Sequence, residues 1–269
     1  MRDASNPEPR QRWRLTFARD PVAADQVGRV ALDAWQAALG GSGLPVALVS
    51  GGSGPGTAGR ARLAFAAPLP ANVSGEAELA DLWLLERRMV WQVREAIDSR
   101  LPAGHRWIAA EDVWLGAPPL AGRVAAADWR VEMRSWAGAG EALRAAVIAL
   151  LAADSLPRVR RKGGAERSYD LRPLLADLAV AEVPADDSRW TARVRTRFHP
   201  ELGSGRPEEV IAALADAVGL ELEIGSIARE RLLLADDLAL SLGDAAPRHM
   251  VGRSTVPASG VRRPGPPRR

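Results

Sequence analysis

The sequence predicts an α+β fold: two tandem ferredoxin-like units, β-α-β-β-α-β twice, each with an antiparallel sheet, plus a disordered basic C-terminal tail. Three observations predict it. Two strand patterns, opening at Trp13 and Trp129, begin with the same two letters 116 positions apart (129 − 13). Each is followed by a stretch with helical apolar spacing. Each of those is followed in turn by two strands, a second helix and a last strand. The expected boundaries are 11–117 for the first unit, 124–236 for the second and 237–269 for the tail.

In the first unit Trp13, Leu15 and Phe17 alternate with polar residues, the period of a half-buried strand. Val27, Val30, Ala31, Ala34, Trp35 and Ala38 then recur at i, i+3, i+4 and i+7, one face of an amphipathic helix. Strands over 62–66 and 78–84, a helix over 87–99 and a strand over 105–115 complete it. In the second unit Trp129, Val131 and Met133 alternate, and Leu143, Ala146, Val147, Leu150 and Leu151 mark its first helix. Strands follow over 169–183 and 190–198, then a helix over 207–218 and a strand over 220–234. Pro207 followed by Glu208 and Glu209 is a helix start, since proline suits the first turn and acids complement its dipole. Gly116-Ala117-Pro118-Pro119 begins the linker between the units.

One loop imitates a cofactor motif. After Val46-Ala47-Leu48-Val49-Ser50, residues Gly54, Gly56 and Gly59 spell G-x-G-x-x-G, with Glu76 and Glu78 further on. A dinucleotide site needs a helix N-terminus behind those glycines. Here Arg60 to Pro68 alternates and ends in Pro68-Leu69-Pro70, which reads as a strand. No Lys-Ser or Lys-Thr pair follows, so a P-loop fails as well. The motif is read as chance in a glycine-rich loop, mobile and without phosphate. Glu76 and Glu78, at i and i+2, are expected on one strand face.

Composition narrows the chemistry. The 269 residues contain no cysteine, which removes disulfides, thiolate nucleophiles and cysteine-held iron–sulfur clusters. The three histidines, His105, His199 and His249, are scattered, so no metal site is expected. There is no apolar run long enough for a membrane helix and no secretory leader, so the expectation is a cytoplasmic protein that binds no membrane and no cofactor. From Ala245 onward six arginines face no acid; removing them from the 36 basic residues leaves 30 against 33 acidic. The Pro/Gly/Arg-rich tail therefore carries the positive charge, and a basic tail of this kind suits RNA or an acidic partner.

Several segments resemble a known family. Phe17-Ala18-Arg19, Gly43-Leu44-Pro45-Val46-Ala47, the run from Leu63 to Pro70 and Gly75-Glu76-Ala77-Glu78 are similar to the radical SAM-linked protein family. So are Arg160-Arg161-Lys162-Gly163, Tyr169-Asp170-Leu171-Arg172-Pro173, Pro207-Glu208-Glu209-Val210 and Ile227-Ala228-Arg229-Glu230. The resemblance covers roughly residues 11–235. It implies a domain of unknown function encoded beside, or fused to, a cobalamin-type radical SAM protein, which would be the partner. The chain departs from the family twice. Val27-Gly28-Arg29-Val30 stands where relatives carry Ser-His-Leu-Asp, and Ala58-Gly59-Arg60-Ala61 where they carry Asn-Pro-His-Pro. No catalytic residue is carried over.

The candidate site residues are basic. Arg193, Arg195 and Arg197 alternate with apolar and small residues, so they project from one sheet face. Arg158, Arg160, Arg161 and Lys162 form a second cluster on a glycine-containing turn. Together they suit an anion or an RNA backbone. The bland alternative is a salt-bridged face, with Asp177, Glu182, Asp186 and Asp187 as cross-strand partners. Asp170 and Arg172 keep the family signature, with a structural ion pair as the alternative role. Of nine tryptophans, Trp13, Trp35 and Trp129 fit core stripes. Trp83, Trp91, Trp107, Trp114, Trp136 and Trp190 are read as edge packing or a partner-facing patch. The leading expectation is a non-catalytic accessory protein of a radical SAM enzyme, presenting substrate or acting as scaffold. The alternatives are an RNA-binding module for tRNA or rRNA and a metal-independent RNA-processing enzyme.

Overall fold

The computed structural model describes residues 7–49, 59–136, 138–162, 164–184 and 186–238. The G-x-G-x-x-G loop up to Ala58 and the basic tail from Ala239 lie outside them. The first half runs β1 (Gln11–Arg19), α1 (Arg29–Gly40), the short β2 (Leu48–Val49), β3 (Arg60–Ala61) and β4 (Leu63–Phe65), then β5 (Ser74–Leu84), α2 (Val90–Asp98) and β6 (His105–Val113). The second runs β7 (Val124–Arg134), α3 (Gly140–Ala152), β8 (Pro157–Lys162), β9 (Ala165–Asp170), β10 (Leu175–Val183), β11 (Asp186–His199), β12 (Gly203–Ser204), α4 (Pro207–Val218) and β13 (Glu223–Leu234).

The halves do not make separate sheets. One mixed, mostly antiparallel sheet has the order β10-β11-β7-β13-β5-β1-β6, with β4 also pairing β5. The join is parallel and brief: Ala228 pairs with Ser74 and Arg229 with Gly75, where β13 meets the start of β5. Two apolar cores back this sheet. One holds Trp13, Leu15, Phe17, Trp35, Leu39, Leu82, Val93 and Ile97. The larger gathers Trp129, Val131, Leu143, Leu171, Trp190 and Val210, and also takes Ala66, Ala67, Leu69 and Val73 from the first half.

Local chemistry sets the element ends. Pro207 opens α4 with Glu208 and Glu209 in its first turn, and Gly219 closes it at φ 70° with its N–H on the Ala215 and Asp216 carbonyls. Helix α2 starts at Val90, later than the expected residue 87, because the Gln92 side chain accepts the Met89 N–H at 2.8 Å and fixes the first turn. The strand expected over 169–183 is broken. Asp170 takes the Arg172 N–H at 2.9 Å and Pro173 supports a tight turn, so β9 ends and β10 begins anew. The basic turn expected around residues 158–162 is instead strand β8, paired with β9 from Pro157↔Asp170 to Lys162↔Ala165.

Candidate functional site

Strand β1 is packed on both faces. Arg12 and Arg14 point away from the first core, yet are 1% and 5% exposed, because Asp81 on β5 accepts from both. Arg12 also reaches the carbonyls of Ala117 and Pro118, tying the linker to the sheet. On its other face β1 carries Phe17 and Arg19. Here its register slips against both neighbours: between Thr16 and Phe17 toward β6, and between Phe17 and Arg19 toward β5. Such bulges re-aim side chains and open space in a sheet.

A cavity of about 200 Å³ lies at that place, between the sheet and α1. Its walls are Phe17, Leu32, Trp35, Phe65 and Leu69, and its polar groups are Arg19, Glu78 and His105. The Phe17 and Trp35 rings are 5.0 Å apart, and His105 lies 5.6 Å from each. Gly28, at φ 68° and ψ −116°, enters α1 beside the cavity in a conformation strained for any side chain, and no side chain caps the helix. It sits in the segment where the family resemblance implies Ser-His-Leu-Asp.

The electrostatics of the cavity are unbalanced. Arg229 from β13 is 1% exposed and forks onto Glu78, its Nε donating at 2.8 Å and its Nη2 to the other carboxylate oxygen. Its Nη groups also reach the carbonyls of Ala67 and Pro68. Glu78 is thus engaged, and Gly75 makes room for it, since a Cβ there would lie 2.5 Å from the Glu78 Cγ. Arg19 is 6% exposed; its Nη2 donates to the Pro70 carbonyl at 2.8 Å, while its buried Nε has no partner among the described residues. Burial lowers the Arg19 pKa, against the Glu78 charge and with the help of the Arg229 cation. A guanidinium nonetheless stays protonated. Two buried cations therefore share one buried carboxylate. Burial also lowers the His105 pKa, while Nδ1 lies 3.2 Å from the Ala103 carbonyl; the tautomer this favours is neutral and leaves Nε2 as an acceptor.

None of the candidate residues Arg158, Arg160, Arg161, Lys162, Asp170, Arg172, Arg193, Arg195 and Arg197 lines this cavity. Arg193 donates to both Glu230 oxygens, and Arg195 forks onto Asp128 at 2.6 and 3.0 Å. Arg197 meets the carbonyls of Pro173 and Leu175. The acids that ion-pair with Arg193 and Arg195 come from β13 and β7, while Asp177, opposite Arg195 on β10, adds a weaker attraction to it. Asp128 is also held by Arg231. Burial would raise its pKa, but Arg195 and Arg231 outweigh that and keep it low. Arg158 pairs with Asp216. Arg160 forks onto Glu209 at 2.8 and 2.6 Å and stacks 4.7 Å over Tyr169. The side chains of Arg161 and Lys162 lie outside the described residues.

Asp170 and Arg172 act on backbone. Asp170 accepts the N–H groups of Leu156 and Arg172 at 2.7 and 2.9 Å. Arg172 donates to the Leu151, Ala153 and Leu175 carbonyls, covering the C-terminal end of α3. Glu76 and Glu78 part company: Glu76 reaches Arg130 at 2.5 Å at a half-exposed position, whereas Glu78 is buried with Arg229. The register slip at the start of β5 separates them. Trp13, Trp35, Trp83, Trp129 and Trp190 are buried, while Trp91 and Trp114 are 60% and 78% exposed.

A family model described as "Uncharacterized protein conserved in bacteria (DUF2344)" matches residues 33–205, more than half of the chain. The chain belongs to this family. No curated protein matches in sequence. Among solved structures, a chain of "Crystal Structure of a Cbf5-Nop10-Gar1 Complex" is similar at 8% identity and a TM-score of 0.44, over 81% of this chain. This protein spans about half (49%) of that chain's length. "Crystal Structure of an Unknown Protein from Galdieria sulphuraria" is similar at 13% identity and a TM-score of 0.23, over 80% of this chain and 98% of that one. The family match begins inside α1 and ends after β12, so it includes most cavity walls but neither Arg19 nor Arg229. Among the described residues no helix is long and apolar enough to cross a membrane, and no three His, Asp or Glu side chains converge as metal ligands.

Proposed function

We propose that the protein is a non-catalytic accessory protein that holds a small ligand for a partner enzyme, and that the partner is the radical SAM protein the sequence resemblance implies. The observation that carries this is the half-satisfied buried arginine in an aromatic-walled cavity: a binding site, with one neutral imidazole beside it. Without cysteines, radical chemistry resides on the partner's cluster. The scaffold is a pair of fused ferredoxin-like units. Strand orders β6-β1-β5-β4 and β13-β7-β11-β10 both follow the antiparallel 4-1-3-2 order of a β-α-β-β-α-β unit, which supports that reading and the boundaries 11–117 and 124–236.

RNA binding is the alternative. It draws on the arginine rows, but Glu230, Asp128, Asp216 and Glu209 already compensate Arg193, Arg195, Arg158 and Arg160, and Arg197 is turned onto backbone carbonyls, leaving little surplus charge for phosphates. Nuclease-treated and untreated co-purification separates the two. Recovery of a radical SAM protein after nuclease treatment supports the accessory function. Recovery of RNA without such a protein overturns it in favour of the alternative.

A further inference from the structure

Resting on the ligand-holding function above, the geometry points to a specific ligand class: we infer that the cavity of Phe17, Trp35, Phe65 and Arg19 takes a monocarboxylate with a compact apolar body, such as an aryl- or branched-alkyl-carboxylic acid.

Three independent observations converge on an anion. Arg19, Arg229 and Glu78 are all more than nine-tenths buried and sum to one uncompensated positive charge. Burying such a charge is costly unless a counter-charge arrives, so the site is built to receive one. Arg19 lines the cavity, and its buried Nε has no acceptor among the described residues, although a buried donor left without one costs about 1–3 kcal/mol. Finally, the uncapped N-terminus of the twelve-residue α1 abuts the same cavity through Gly28 and Ala31, with no acid in its first turn. Free N–H groups there favour negative charge.

Charge and size then select the class. One excess positive charge is cancelled by a monoanion, whereas a phosphate dianion would overshoot it and call for more donors than Arg19 has left after Pro70 and Val73. The remaining walls are apolar and aromatic, which suits a hydrocarbon body and not a sugar or a peptide backbone. Cavities of about 150 Å³ already admit benzene, so 200 Å³ holds one ring or a short branched chain together with a carboxylate. A free amino acid is disfavoured, because its ammonium would meet two arginines.

Calorimetric titration of the purified chain with phenylacetate, phenylacetamide, phenyl phosphate and isovalerate tests this. Saturable binding of phenylacetate or isovalerate at one site is expected, with phenylacetamide and phenyl phosphate at least ten-fold weaker. Arg19→Gln should weaken the carboxylate at least ten-fold. Leu32→Trp, which fills the cavity and leaves every charge in place, should abolish binding; its folding is checked by thermal melting. Equal affinity for the amide, tighter binding of phenyl phosphate, unchanged binding in a folded Leu32→Trp variant, or no binding of either carboxylate would each overturn the inference. These titrations need no partner. A carboxylate that binds while no radical SAM complex forms overturns only the choice of partner, and a complex that forms while no carboxylate binds overturns only the ligand class.

Discussion

Replacing Glu78 by Gln removes one negative charge and almost no volume. In the native protein that charge is shared between Arg229, 1% exposed, and the Arg19 environment, 6% exposed. After the substitution two buried guanidinium groups remain with no buried carboxylate between them. Arg229 keeps its bonds to the Ala67 and Pro68 carbonyls at 3.1 and 3.3 Å, and the new amide can still accept one hydrogen bond. Breaking a buried ion pair from one side costs about 3–5 kcal/mol, and the surviving acceptors place the expected loss near the lower end, about 3 kcal/mol. With a urea slope toward the upper part of the usual range, about 3 kcal/mol per molar, the unfolding midpoint should fall by about 1 M. Buried tryptophans in both cores make intrinsic fluorescence the natural probe. Glu78→Gln combined with Arg229→Met should recover most of the loss, because the pair is then replaced from both sides. A single-variant loss below about 1 kcal/mol would show that water or a rearranged side chain compensates Arg229, and would refute the buried-charge account of the cavity.

Other consequences are as direct. The N–H groups of Leu156 and Arg172 hold the Asp170 carboxylate below its ordinary pKa, so its contribution is present above the unfolded value of about 3.9 and is lost as pH falls through the folded one. Between pH 5 and pH 3 the urea midpoint of the native protein should therefore drop more than that of Asp170→Asn; equal drops would assign acid sensitivity elsewhere. Burial first, and the Glu209 carboxylate next, push the Tyr169 phenol up to about 12. As Tyr169 is the sole tyrosine, ultraviolet pH titration reads it directly. Its contribution to stability is present below the unfolded pKa of about 10 and is lost as pH rises toward the folded one. Asp128→Asn releases Arg195 and Arg231 together, so retention on heparin and the salt dependence of single-stranded RNA binding should both increase. Strong RNA binding by the native chain that Arg193→Ala or Arg195→Ala abolishes would instead favour the RNA-binding alternative.

Periodicity carried elements such as β1, β7 and α3 because their apolar positions are buried. Trp13, Leu15 and Phe17, or Leu143, Ala146, Val147 and Leu150, report that burial in their spacing. The hairpin of β8 and β9 was not legible, because Pro157 to Asp170 has few apolar residues and its Arg158 and Arg160 are fixed by Asp216 and Glu209 on α4. The cavity was hidden for a related reason. Arg19 sits at a strand end, where an arginine is ordinarily solvated, and the carboxylate and second cation around it come from positions 78 and 229. The one available signal was Glu78 beside a glycine at 75, but strict alternation puts Glu76 on the same face. A one-residue slip undoes that inference, and period-two reasoning has no means of locating it.

The tie between Glu78 and Arg229 spans 151 positions, which gives the ligand cavity a schedule as well as a shape. During synthesis β1, α1 and β5 emerge first and can assemble around Phe17 and Trp35 while Arg229 has yet to be made. Until the last strand docks, Glu78 faces Arg19 alone, and the local charge is neutral rather than positive. The excess positive charge of the cavity is therefore a property of the completed chain, supplied by its last strand.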